Sequence, residues 1–199
     1  MRLYRDPLFR IAACRDLWSF LIQSSESRIS VTIVDLRRTQ MNAHVTYVPA
    51  GTGPAYESPI DKVTFLMTGE QNGGAFFMAE VSVQPGGGNP PHIHRREEET
   101  FYVQQGTLTI QVGGKTQTAS PGDFICLPRG VAHSFQNTGN VEAKFLLVAV
   151  PAGLEKFFEQ AFYPADASAG PPPMNEAFLA RLRAAASECG LEFLPPPSQ

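Results

Sequence analysis

Cysteine is scarce in this chain: Cys14, Cys126 and Cys189 are the three occurrences in 199 residues, and they lie far apart. An odd number at that spacing gives neither a disulfide framework nor a CxxC metal pair, and it suits a reducing compartment. Long apolar runs are missing as well. LWSFLI, near the start, is too short to be a signal-peptide core, and no stretch approaches the length of a membrane span. IAAC, ending at Cys14, has the form of a lipoprotein cleavage box, yet the preceding MRLYRDPLFR is charged where a signal peptide is continuously apolar. The expectation is a cytoplasmic protein with no membrane partner. Basic clusters are also lacking, and the formal net charge is −3, so electrostatics gives no reason to expect a nucleic-acid partner. Histidine is nearly as rare as cysteine, with four residues, and three of them fall in the two segments that carry the chemistry.

Turn formers, by contrast, are abundant. The chain holds 17 Gly and 17 Pro with an ordinary apolar fraction of 43%, as expected for one all-β domain with many turns. From about residue 60 the chain divides into KVTFLMTG, GGAFFMAEVSVQP, ETFYVQQG, TLTIQVGG, KTQTASPG, DFICLPRG, AHSFQNTG and VEAKFLLVAV, short strands separated by Gly, Pro and Asn. Successive strand residues face opposite ways, so Phe77, Ala79, Val81 and Val83 form one apolar face and Glu80, Ser82 and Gln84 the other. Many short antiparallel strands predict a sandwich or barrel, in which closure protects the strand edges.

Three regions follow: residues 1–40, 41–151 and 152–199. The first is poor in turn signals, with a short amphipathic helix expected around Leu17–Ile22 and a strand at ISVTIVDL; Met41 follows directly, so this region reads as an upstream extension. The second is the β-barrel. In the third, Leu154, Phe157, Phe158 and Ala161 recur at helical spacing, PADASAGPPP is a linker, and a second helix is expected from an Asn175 cap to a Gly190 stop. Phe178, Leu179, Leu182 and Ala186 form its apolar stripe, a packing surface. The tail aromatics also offer a contact for a homodimer.

The segment PHIHRREEETFYVQQG, residues 91–106, places two imidazoles one residue apart and then three glutamates ahead of an apolar strand. In an extended strand His92 and His94 point to one side. Glu99 shares a face with Phe101 and Val103, whereas Glu98 shares the other with Thr100, Tyr102 and Gln104. If the Phe101 face is interior, Glu99 enters it and Glu98 does not. Glu97 has the same parity but falls in the turn after His94, and is expected to be solvated. A buried carboxylate is costly unless positive charge accompanies it, and a metal ion beside the imidazoles supplies that charge. A third imidazole, His133, follows in GDFICLPRGVAHSFQN.

Gly86, His92, His94, Glu99 and Gly106 stand at G-x5-H-x-H-x4-E-x6-G, and Gly122, Pro128, Gly130, His133 and Asn137 at G-x5-P-x-G-x2-H-x3-N. Both segments resemble the two signature motifs of the cupin superfamily at every defining position, with a short intermotif stretch. The resemblance implies an all-β jelly-roll barrel, the cupin-type double-stranded β-helix, with a helical C-terminal tail. It also implies that His92, His94, Glu99 and His133 bind one divalent transition metal: Fe, Mn, Ni or Co, with Zn or Cu as alternatives. His44 falls outside the motifs and is expected at the surface.

Over about residues 60–197 the chain further resembles small bacterial monocupins described as quercetin 2,3-dioxygenase-like; the first 40 residues are outside that resemblance. It implies a metal-dependent dioxygenase whose partners are dioxygen and a flavonol or related enol, with Glu99 as general base. Phe77, Phe101 and Phe135 are candidates to line the substrate pocket, the alternative being that they fill the barrel. Two rival functions are a metal-binding isomerase or sugar-modifying cupin and a non-catalytic sensor. The first calls for more polar strand faces than these. A sensor acting on DNA calls for a recognition helix, which the first forty residues do not show.

Overall fold

The alternation in FMAEVSV holds residue by residue: Phe77, Ala79, Val81 and Val83 are buried, and the residues between them are half-exposed. The computed structural model describes residues 45–165 and 170–195. The expectations for the helix at Leu17–Ile22, the strand ISVTIVDL, Met41 and His44 lie outside those residues. The same two-residue period shapes β2 (Asp61–Met67), β3 (Phe77–Val83), β5 (Glu98–Gln105), β6 (Leu108–Val112), β9 (His133–Asn137) and β10 (Ala143–Val150). Shorter strands complete the set: β1 (Ala55–Glu57), β4 (His92–His94), β7 (Lys115–Ala119), β8 (Phe124–Leu127), β11 (Tyr163–Pro164) and β12 (Leu191–Phe193).

They form two antiparallel sheets, one ordered β11-β1-β2-β3-β10-β5-β8 and the other β12-β4-β9-β6-β7. Their facing apolar sides make the core of a jelly roll. Phe101, Phe135 and Phe145 meet there at ring separations of 4.4 to 5.7 Å, with Phe101 and Phe135 edge to face at 87°. Each buried side chain of this size contributes roughly 1.5–3 kcal/mol by leaving water.

Both tail helices form where the periodicity places them, α2 at Glu155–Ala161 and α3 at Glu176–Cys189. The Asn175 side chain caps α3 by accepting from the Phe178 amide at 2.9 Å, and Gly190 ends it in the left-handed conformation. Most of the tail aromatics pack within the chain itself. Phe157, Phe158, Phe162 and Phe178 are buried, and Phe158 touches Phe65 and Phe77 on the barrel side and Phe162 on the other. The tail also supplies strands that no sequence period signalled. β11 pairs with β1, and β12 pairs with β4, the strand of the two motif histidines. No helix among the described residues is long and apolar enough to cross a membrane.

The motif glycines and Asn137 join the two sheets' turns. Gly106 has φ 74°, and a Cβ there would lie 2.7 Å from the Ala143 Cα, so both conformation and space require glycine. Asn137 is completely buried. Its amide donates to the Val83 and Val141 carbonyls at 2.9 and 2.8 Å, and its oxygen accepts from the Gly139 amide at 3.0 Å. Asn137→Ala removes three hydrogen bonds, the one to the Val83 carbonyl fully buried, so urea denaturation should show a loss of about 2–4 kcal/mol. An unchanged midpoint would contradict this role.

Candidate metal centre

The spacing of the two motifs is the register of one strand pair. β4 runs antiparallel to β9 with His92 directly opposite His133. Hydrogen bonds fix that register on both sides. The Gly86 amide donates to the Asn137 carbonyl, and the Gly130 amide donates to the His94 carbonyl, each at 2.9 Å. Gly130 sits at φ 78°, a conformation that glycine reaches without strain. Three imidazoles are thereby presented by one sheet, and Glu99 comes from β5 of the other. The group spans the space between the layers.

His92, His94, Glu99 and His133 are all buried, and one nitrogen or oxygen of each lies within 4.8 Å of the others. His92 Nε2 is 3.1 Å from His94 Nε2. One Glu99 oxygen, Oε2, stands 3.3 Å from His133 Nε2 and 3.6 Å from His94 Nε2. The far side of two rings fixes which nitrogen carries hydrogen. His92 Nδ1 donates to the Pro90 carbonyl and His133 Nδ1 to the Val131 carbonyl, both at 3.0 Å. A carbonyl only accepts, so both rings carry a hydrogen on Nδ1 and, in the form that ligates a metal, offer the Nε2 lone pair inward.

His92 Nε2 and His94 Nε2 share one hydrogen bond, which leaves the other two inward atoms unserved. His133 Nε2 and Glu99 Oε2 are buried without a hydrogen-bond partner despite their proximity. Leaving such atoms unpaired costs about 1–3 kcal/mol each. A cation at their centre satisfies all of them. Three imidazoles and one carboxylate suit Fe, Co, Ni, Cu or Zn, and they leave positions free on an ion that takes five or six ligands. The four residues therefore fit a divalent metal site.

Burial and neighbouring charge tune the group before any ion enters. Burial first, then the charges of His133 and His94, push the His92 pKa down to about 3, so this ring is neutral at ordinary pH. For His94 burial works downward too, but Glu99 and Glu97 outweigh it and raise the pKa. For Glu99 burial works upward, and the surrounding imidazoles, His94 foremost, outweigh it and hold the carboxyl below its ordinary value.

Glu97 corrects an expectation. It does precede β5 in a turn, yet it is 2% exposed rather than solvated. Its Oε2 lies 3.7 Å from His94 Nδ1, an ion-pair separation rather than a hydrogen bond. The site thus has an outer carboxylate behind His94, matching the carbonyls behind His92 and His133. Glu97 turns inward because the tail covers its turn. Gly153, at φ 147°, passes so close that a Cβ there would stand 3.1 Å from Glu97 Oε1.

A cavity of about 230 Å³ opens from the cluster, lined by His92, His94 and Glu99. Its walls are mainly aromatic and aliphatic. Phe135 and Phe145 come from the barrel, Phe157, Phe158 and Phe162 from α2 and its C-terminus, and Phe193 from β12. Of the three phenylalanines expected to line a pocket, Phe135 does so. Phe77 and Phe101 do not: both are fully buried in the packed core, as their positions deep along inward strand faces dictate. Asp61 also lines the cavity. Sequence reasoning passed over it, although it shares the inward parity of Val63 and Phe65 just as Glu99 shares that of Phe101.

Residues 79–149 match the family model for the Cupin domain. Among curated proteins, germin-like protein 5-1 of Oryza sativa subsp. japonica is 42% identical over 71 residues, covering 33% of this chain and 32% of the relative. Quercetin 2,3-dioxygenase of Aspergillus japonicus is 34% identical over 101 residues, 47% of this chain and 29% of that protein. The chain spans about a third of the length of the curated relatives it matches. Among solved structures, the polyketide cyclase RemF from Streptomyces resistomycificus aligns with a TM-score of 0.48 at 27% identity, covering 54% of this chain and 80% of that one.

Two outcomes follow from this geometry. Purified protein should contain about one transition metal per chain, and His92→Ala or His133→Ala should abolish it in elemental analysis; a variant that keeps full metal would contradict the assignment. The second concerns Asp61. Burial raises its carboxyl from 3.8 to about 6, with the Ser58 hydroxyl and its own backbone pulling the other way. The fold favours the protonated form, so its stabilising contribution is complete below 3.8 and is lost as pH rises through about 6. Urea midpoints should therefore fall more steeply over that interval in the wild type than in Asp61→Asn; parallel curves would contradict this.

Proposed function

From the premise that this chain is a member of the cupin superfamily, we propose that it is a metal-dependent dioxygenase acting on a flavonol or a related enolic aromatic molecule. The observation that carries this reading is the union of two features in one space: the His92, His94, Glu99 and His133 cluster and the aromatic cavity that opens from it. At about 230 Å³ the cavity is slightly below the usual range for drug-sized ligands, and it suits one small aromatic molecule. The apolar walls disfavour a sugar, whose hydroxyls would be left unpaired against phenylalanine. The relationship to a quercetin 2,3-dioxygenase supports the same choice.

In this reading His92, His94, Glu99 and His133 would hold a divalent ion, and that ion would supply Lewis-acid polarisation of an enol oxygen. The chain's own residues do the rest. Phe135, Phe145, Phe157 and Phe193 exclude water and align the flat ring system with the cluster. Glu99 is the only acidic residue among the four, and the imidazoles around it keep it ionised. It accepts the enol proton at a carboxylate oxygen, which leaves the substrate electron-rich for reaction with oxygen. Glu97, behind His94, fixes the orientation of that ring.

Oxygen uptake tests the reading. Metal-loaded protein supplied with flavonols, diketones and catechols in an oxygen electrode should consume oxygen with at least one flavonol or enol. Glu99→Gln should keep more metal than the histidine variants but lose about 10²–10⁴-fold in turnover. No uptake with any of these compounds would overturn the dioxygenase assignment, and undiminished turnover in Glu99→Gln would remove its role as base.

A further inference from the structure

Two barrel strands carry a carboxylate on the inward face near their start, and the histidine cluster uses one of them. Glu99, the second residue of β5, lies on the face of Phe101 and Val103; Asp61 opens β2 on the face of Val63 and Phe65. In register, Glu99 is level with Ala149 of β10, whereas Asp61 is level with Val83 and, through it, with Ala143. The two acids thus stand toward opposite ends of β10, and Phe145 and Leu147, which lie between those levels, are on the cavity wall.

Ser58 holds Asp61 in place. The Ser58 hydroxyl accepts from the Ile60 and Asp61 amides, each at 3.1 Å, and donates to Asp61 Oδ1. That turn satisfies one carboxylate oxygen and leaves Oδ2 without a hydrogen-bond partner among the described residues. No lysine, arginine or histidine there forms an ion pair with it. Asp61 is half-buried on the rim of β2 and lines the cavity beside Val63, Val81 and Phe145, so it is the polar group that a ligand lying along those walls would meet.

We propose that Asp61 is a second polar pole of the cavity, and that the site takes an elongated, mainly apolar ligand with an acidic oxygen at the histidine cluster and a hydroxyl or other hydrogen-bond donor at Asp61. Oδ2 accepts from that donor while the phenylalanine walls enclose the ring system between. Asp61 is a specificity-determining residue in this account: it chooses among flat aromatic ligands by what they carry at the end remote from the cluster. Burial raises its proton affinity against the pull of the Ser58 hydroxyl and its own backbone.

This inference rests on the cluster being where the acidic oxygen binds, so its test reads binding without turnover. The probes are a flavonol with an unsubstituted outer ring and its analogue with one phenolic hydroxyl at the far end of that ring. Both are titrated anaerobically into metal-loaded protein, with quenching of intrinsic fluorescence as the signal. The hydroxylated probe should bind about 10-fold more tightly to the wild type, as a hydrogen bond to a charged acceptor provides. Asp61→Ala should abolish that preference with metal content unchanged. Asp61→Asn retains an oxygen for the Ser58 hydroxyl and directs an amide into the cavity, so it should reduce the preference even if the alanine variant fails to fold. Equal affinities in the wild type, or a preference that survives both substitutions, would overturn the proposal. Equal affinities alongside oxygen uptake would sink this inference alone; a retained preference without oxygen uptake would sink the dioxygenase reading alone.

Discussion

Four electron-pair donors converge in the interior of this protein without a proton to share among all of them. Two imidazoles are committed by backbone carbonyls to carry hydrogen on the outer nitrogen, so their inner lone pairs face the other ring and a carboxylate oxygen. Like dipoles at such distances in a buried setting repel, and a cation relieves them all at once. The strand register, the positive-φ glycines of the two motifs and the cover supplied by the tail all serve to hold that arrangement.

The tail is part of the same construction. Its final strand pairs Leu191 with His94 and Phe193 with His92, so the histidine strand is flanked by β9 on one side and by the chain's C-terminal region on the other. Leu191 and Phe193 then face the cavity, and Arg95 pairs with Glu192 on the outer surface. Two buried carboxylates mark where the tail meets the barrel. Glu97 supports His94, while Glu155 accepts from the Gly69 and Gly153 amides and so ties α2 to the short helix α1 (Gly69–Asn72). The cavity is therefore made by both regions, with aromatic walls drawn from each.

Much of this was legible in the sequence because strand parity is a local property. The choice of Glu99 over Glu98 needed only the alternation with Phe101 and Val103, and the structure buries one and exposes the other. The caps of α3 were equally local, since Asn175 and Gly190 act through backbone within a few residues. What was not legible depended on distant chain. Glu97 is in a turn, and whether a turn is solvated depends on what covers it, here Gly153. The three residues of β12 are too few to show a period, and their strand exists only because β4 offers an edge. Phe77 and Phe101 have the same parity as cavity residues; depth along the strand, which parity does not encode, decides that they fill the core. Asp61 was readable by the rule that found Glu99, but no motif drew attention to it.

The central claim is that one cation is held between the sheets by three imidazole nitrogens and one carboxylate oxygen. Anomalous diffraction from crystals of the purified protein, collected on both sides of the absorption edge of the metal found, tests it most directly. The account predicts a single peak within about 2.0–2.2 Å of Nε2 of His92, His94 and His133 and of a Glu99 oxygen. Side chains instead joined by direct hydrogen bonds or an ordered water, with no anomalous peak between them in metal-supplemented crystals, would contradict it.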